Sequence, residues 1–253
     1  MNRIISRLSV ILLVSTLLCG CTPVPQDDEV SLAADAALVK CEDMGEEYID
    51  SFIFIGESTT AHLKSRGVLK DGQNTRQVWT TKGGTMMLDT TTTSVKIVYP
   101  DTNEELTVGE AARRKKPQRV LLTFGLNGAV GKIKRGEAHF KDCYSALINA
   151  IHSASPTTEI ILQSCPPIAK TMDTSAYGTD ASTLNGYINT INSWTLSLAT
   201  ELELGYLNST EVMKDTDGFL KPQYDAGDGY HLSTEAYLAM LEYMRTHGKR
   251  ERE

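Results

Sequence analysis

Residues 52–63 read Phe-Ile-Phe-Ile-Gly-Glu-Ser-Thr-Thr-Ala-His-Leu. Four apolar residues without alternation are the pattern of a short strand buried on both faces. Gly56, Glu57 and Ser58 end the run, and a helix is expected from about Thr60 to Leu69. A strand that turns into a helix leaves free backbone N–H groups at the turn, where the helix dipole is positive. Ser58 therefore reads in two ways, as a nucleophile at the mouth of a site or, with Thr59 as the other candidate, as a mere helix cap.

The rest of the chain repeats this rhythm. Gln77–Trp79, Arg119–Phe124, Glu159–Gln163 and Gly205–Leu207 are strand-like. Helical patterns are expected over Glu110–Lys116, Gly136–Ser153 and Leu184–Leu202, and in a final helix capped by Ser233 and running to about His247. Val95–Tyr99 and Glu104–Val108 form an expected hairpin, and residues 166–181 a long loop. Strands alternating with helices predict right-handed crossovers and an α/β fold with a central parallel sheet covered on both faces. Ligands of such folds sit at the carboxyl ends of the strands. Here those ends are Gly56-Glu57-Ser58, Gly125-Leu126-Asn127 and Ser164-Cys165-Pro166.

A nucleophilic serine needs a base, and the base an orienting group. Of the five histidines, His139 and His152 fall within an amphipathic helix, and His247 falls at the end of the last one. His62, four residues after Ser58, is a second-choice base without an acid nearby in sequence. His231 follows Asp228-Gly229-Tyr230, a spacing that lets a turn fold the carboxylate onto Nδ1 and leave Nε2 for the serine proton, or equally a plain Asp-Gly turn with a histidine near the helix start. Asn127 offers a neutral N–H donor, or equally a turn residue before Gly128. Gly83 and Gly84 offer amides for close approach, or simply a flexible loop.

The formal charge is −7, and it becomes −9 once residues 1–20, with Arg3 and Arg7 and no acid, are removed. That balance argues against a nucleic-acid binder, which needs a basic face. The one dense basic run, at 113–116, suits the end of a helix. There is no His-Glu-x-x-His motif and no Cys/His cluster, so no metal or cofactor is expected. At the N-terminus Arg3 and Arg7 precede an apolar region, Leu8 to Leu18, that is short for a membrane span. Leu18-Cys19-Gly20-Cys21 then resembles a bacterial lipobox, which implies cleavage before Cys21 and lipidation there. A plain secretory signal is the simpler alternative. Cys41, Cys143 and Cys165 remain in the body of the chain. An exported protein with three cysteines forms at most one internal disulfide, and Cys143 with Cys165 is one candidate pair.

Taken in order, Gly-Glu-Ser at 56–58, Gly83/Gly84, Gly-Leu-Asn at 125–127 and Asp-Gly-Tyr-His at 228–231 resemble the four blocks of the SGNH (GDSL-like) hydrolase family. The resemblance spans roughly residues 50–247. It implies a flavodoxin-like three-layer α/β/α sandwich, with Ser58 as nucleophile, His231 as base and Asp228 as its orienter. It also implies an oxyanion hole made by Ser58, Gly83 or Gly84, and Asn127. Three positions depart from the family pattern: Glu57 for the usual Asp, Gly128 for an Asp and Leu232 for a common Pro. The expected organisation is a signal segment over 1–20, a tether over 21–45 and the hydrolase domain over 46–253. The expected protein is a membrane-tethered, extracytoplasmic serine esterase. Carbohydrate O-acetylesterase activity leads, with Trp79, Tyr177 and Tyr230 available to stack on sugar. Lysophospholipase or short-chain lipid esterase activity is the alternative, as is a non-catalytic glycan-binding lipoprotein on the same fold.

Overall fold

A computed structural model describes residues 36–249. The signal segment and Cys21 lie outside the described residues. In chain order the strands are β1 (Val39–Lys40), β2 (Phe52–Gly56), β3 (Val78–Trp79), β4 (Lys96–Val98), β5 (Glu105–Thr107), β6 (Arg119–Thr123), β7 (Glu159–Gln163), β8 (Gly205–Leu207) and β9 (His247–Gly248). The helices are α1 (Gly45–Asp50), α2 (Ser58–Ser65), α3 (Val108–Lys115), α4 (Ala129–Ala154), α5 (Ala181–Glu201), α6 (Thr210–Met213) and α7 (Thr234–Arg245).

Five strands form one parallel sheet in the order β3-β2-β6-β7-β8. All five residues of β2 are buried, as the apolar run requires. Its side chains alternate between two cores. Ile53 and Ile55 pack with Leu147, Ile151, Leu184 and Ile188 of α4 and α5. Phe52 and Phe54 pack with Leu63 of α2 and with Tyr237 and Met240 of α7. One sheet with a helical layer on each face is the expected three-layer sandwich.

Local chemistry sets the element ends. Thr107 and Glu110 form a reciprocal capping box, so α3 starts at Val108 and not at Glu110. Asp180 caps α5 through the Thr183 amide at 2.8 Å, and Ser233 caps α7 through the Ala236 amide at 3.3 Å. The long helix α4 starts seven residues before the expected Gly136, but Gly136 breaks it with φ 84° and ψ 171°. The hairpin of β4 and β5 is antiparallel, as expected.

Three expectations are corrected. Folding begins before residue 46, because Ala37 bridges to Tyr206 and β1 pairs with β9. The tether therefore does not extend to residue 45. Cys41, Cys143 and Cys165 are all free, with Cys143 and Cys165 buried separately in the core, so the candidate disulfide is absent. Trp79 is 1 % exposed and packs edge-on to Tyr99, so it is a core residue and offers no face to a sugar. Its nearness to a predicted loop suggested access, but Trp79 lies on the edge strand β3, and the β4–β5 hairpin covers that strand through Val98 N–H to the Thr80 carbonyl at 2.9 Å.

Among the described residues no helix is long and apolar enough to cross a membrane. Nor is any group of three or more His, Cys, Asp or Glu placed to hold a metal ion.

Candidate active site

The carboxyl ends of β2 and β6 lie side by side, since Gly56 pairs with Thr123. Gly56 is required by closeness: a Cβ there would sit 2.3 Å from both the Thr123 carbonyl oxygen and Thr60 Oγ1. This contact delivers Ser58 to the first turn of α2, half-buried, with Glu57 at the N-cap in extended backbone.

Across the sheet face stands the loop before α7. Asp225 Oδ1 accepts the amides of Gly227 and Gly229 at 2.8 and 2.9 Å, which folds the loop back. Asp228 Oδ1 accepts the amides of Tyr230 and His231 at 3.1 and 2.8 Å. Its other oxygen, Oδ2, lies 2.6 Å from His231 Nδ1. His231 Nε2 lies 2.9 Å from Ser58 Oγ, closing an Asp–His–Ser chain across 173 residues of sequence. Burial works to raise the Asp228 carboxyl, but the amide and ring hydrogen bonds from His231 and the Tyr230 amide outweigh it and hold the group below its usual range. A carboxylate there favours the tautomer with hydrogen on Nδ1, which leaves Nε2 as acceptor for the serine hydroxyl.

Gly229 locks this loop. Its φ is 88°, and a Cβ would meet Met172 Cβ at 2.5 Å and Met172 Cα at 2.7 Å. The Gly229 carbonyl also accepts the Ala169 amide at 2.7 Å. Gly229→Ala must both strain the backbone and push loop 166–180 away. We expect a loss of about 2–4 kcal/mol in denaturant unfolding, together with reduced ester turnover because His231 shifts. Unchanged stability would show that the two loops do not brace each other.

The structure pairs Ser58 with His231, not His62. The His62 ring packs on His231 at 4.3 Å between centroids, and its Nδ1 is buried without a partner among the described residues. Burial, then the adjacent His231, push its pKa down. His62 is a neutral flank for the imidazole. Tyr230 packs on His231 from its own side, at 4.0 Å.

Asn127 Nδ2 donates to Thr85 Oγ1 at 2.9 Å, and its second hydrogen is left for another acceptor. Of the two glycines, Gly84 donates its amide to the Thr81 carbonyl at 2.9 Å and is committed to that turn. No partner for the Gly83 amide occurs among the described residues, so Gly83 is the candidate donor of the pair. Thr85 joins the glycine loop to the asparagine loop, a role that nothing in its local sequence signals.

Glu57 has a larger part than its sequence position implied. It is 4 % exposed and receives three backbone amides: Gly125 on Oε1 at 3.1 Å, then Leu126 and Asn127 on Oε2 at 3.1 and 3.0 Å. Burial pushes its pKa up, against the charge of Lys132 and the three amides. Lys132 is itself 3 % exposed, and its ammonium donates to the Asn127 carbonyl. Acceptance on both oxygens suits the carboxylate form, with Lys132 supplying the opposite charge. The Asn127 loop is thus held from two sides, by Glu57 on its amides and by Lys132 on its carbonyl.

A model of the GDSL-like lipase/acylhydrolase family matches residues 54–239, a span that includes all of these groups. The chain belongs to this family. By family it is an ester hydrolase. No curated protein matches the sequence. Among solved structures, a G-D-S-L family protein from Desulfitobacterium hafniense DCB-2 is 16% identical, over 77% of this chain and 97% of that one, with a TM-score of 0.50. The periplasmic domain of a lipopolysaccharide acetyltransferase from Salmonella ser. Paratyphi A is 16% identical, over 86% of this chain and 93% of that one, with a TM-score of 0.52. At such identities the likeness is one of fold. In this GDSL-like hydrolase the signature aspartate is Glu57, and the braced loop shows what the longer carboxylate reaches.

Proposed function

We propose that this GDSL-like hydrolase is a serine esterase, anchored outside the cytoplasm through a lipidated Cys21, that removes acetyl groups from carbohydrate. The observation that carries the chemistry is the position of His231, 2.9 Å from Ser58 Oγ and 2.6 Å from Asp228. In the first step Ser58 Oγ bonds to the ester carbonyl carbon while its proton passes to His231 Nε2. The Asp228 carboxylate stabilises the resulting imidazolium through Nδ1–H. The amides of Ser58 and Gly83 and the Asn127 side chain receive the oxyanion. Collapse breaks the carbon–oxygen bond to the sugar, and His231 returns the proton to the departing hydroxyl. Water then adds to the acyl-serine, its proton again going to His231, and acetate leaves as Ser58 is restored.

The anchor rests on Arg3 and Arg7, the apolar Leu8–Leu18 region and Leu18-Cys19-Gly20-Cys21. A sugar-linked acetyl group fits the half-buried Tyr177 and Tyr230 near the catalytic loops. It is also compatible with a fold shared with an acetyltransferase domain named for lipopolysaccharide. The deciding assay compares acetate released from O-acetylated glycans with fatty acid released from lysophospholipids. Acetate release supports the proposal; fatty acid release alone replaces it with a lipid esterase. Asn127→Ala removes one oxyanion donor and should lower kcat by about 10²–10³. An equal fall in kcat/KM marks a transition-state interaction, whereas a rise in KM alone would give Asn127 a substrate-binding role.

A further inference from the structure

A groove of about 490 Å³ lies beside the edge strand β3, in the size range of roughly 300–1,000 Å³ typical of small-molecule sites. Its lining includes Gly84, next to the candidate amide donor Gly83. A Cβ on Gly84 would be 3.9 Å from that of Ala61, three residues, or a little under one helical turn, along α2 from Ser58. The groove therefore opens onto the loop that flanks the acyl site.

Its charge runs against that of the chain. Lys64, Arg76 and Lys82 line it and no carboxylate does, in a protein whose formal charge is −7. Arg76 shares its charge with Asp101 at 3.3 Å. Lys64 and Lys82 have no ion-pair partner among the described residues. A concave surface lined by one sign of charge concentrates counter-ions along it. The remaining walls bring side-chain amides from Asn74 and Asn103 and several threonine hydroxyls, which are donors and acceptors of the kind sugar hydroxyls need.

The geometry points to a subsite for an anionic glycan, whose carboxylates or phosphodiesters seat on Lys64 and Lys82 while an O-acetyl group a short distance along the chain reaches Ser58. The acetyl step rests on the esterase reading above; the binding does not. The shared chemistry is a hydroxyl-rich polyanion, and uronate and glycerol-phosphate polymers are its two sources.

Affinity electrophoresis of the full-length protein in non-ionic detergent tests this, using gels that contain polygalacturonate, poly(glycerol phosphate) or neutral dextran. The expected result is slower migration in at least one polyanion gel and unchanged migration in dextran. The polyanion that retards identifies the source. The retardation should be lost in the Lys64→Gln/Lys82→Gln double variant and at about 1 M salt, where screening reaches roughly 3 Å. Normal migration in both polyanion gels, equal retardation by dextran, or retardation that survives the double substitution would each overturn the subsite. p-Nitrophenyl acetate hydrolysis by the same preparation reports separately on the esterase. A protein that hydrolyses the ester and ignores both polyanions loses the subsite alone. One that binds a polyanion and leaves the ester intact loses the esterase reading alone.

Discussion

Ser58→Ala is expected to lower kcat for p-nitrophenyl acetate by about 10⁴–10⁶ while leaving the fold intact. That is roughly 5–8 kcal/mol of barrier. The size follows from the mechanism, because alanine removes the atom that forms the acyl-enzyme and leaves only the oxyanion donors and His231 to assist water. Ser58 is half-buried, and its side chain makes one hydrogen bond, to His231. It is also not a side-chain cap of α2, so the helix loses nothing by the change. Thermal unfolding of the variant should match the wild type. His231→Ala is expected to fall in the same range, and combining the two should add little, as for residues that act as one unit. If His62→Ala abolished turnover and His231→Ala did not, the base would be His62 and the observed bond chain would not be the catalytic one.

Glu57→Ala is expected to destabilise the protein by about 3–5 kcal/mol, because it strips the partner from three amides and leaves Lys132 buried without its counter-charge. In a domain of this size that is a fall of roughly 6–20 °C in Tm. The amides of Gly125 and Leu126 are in buried residues and cannot turn to solvent instead. Glu57→Asp tests the reach of the side chain. Shortening it by one carbon withdraws the acceptor by roughly 1.5 Å, so at least one of the three amides is released, and the loss should be smaller, about 1–2 kcal/mol. Ester turnover should drop in both variants, because the freed loop carries Asn127. Urea denaturation of the three proteins measures this. A Glu57→Ala variant within 1 kcal/mol of wild type would show that Lys132 and the sheet hold the loop without the carboxylate.

The parallel sheet was legible because apolar runs such as Phe52–Ile55 and Glu159–Gln163 are local signals, and their spacing leaves room only for helical crossovers. The positions of Ser58, Asn127 and His231 were legible for a related reason, since each sits at a strand or helix end where a parallel fold gathers its polar groups. What escaped was contact between distant segments. Lys132 lies before the expected helix start at Gly136, close to Lys134 and Arg135, and no local pattern marks it as buried. Its burial follows from the loop it must reach, five residues back. Thr85 carries no motif, and it matters because the glycine loop brings it to Asn127. Glu57 looked like a turn residue because its three partners are 68–70 positions away. The N-terminal pairing of β1 with β9 was invisible for the same reason, as two residues are too few to show a period. The cysteines were not legible either: their odd number allowed at most one bond without choosing a pair, and the core holds Cys143 and Cys165 as separate buried thiols.

The central claim is that Ser58 is a nucleophile activated by His231. Treatment with diisopropyl fluorophosphate, followed by peptide mass mapping, tests it directly. The predicted result is a single adduct on Ser58 that extinguishes ester turnover and forms far more slowly in His231→Ala. An adduct on another residue, or full turnover with Ser58 unlabelled, would contradict it.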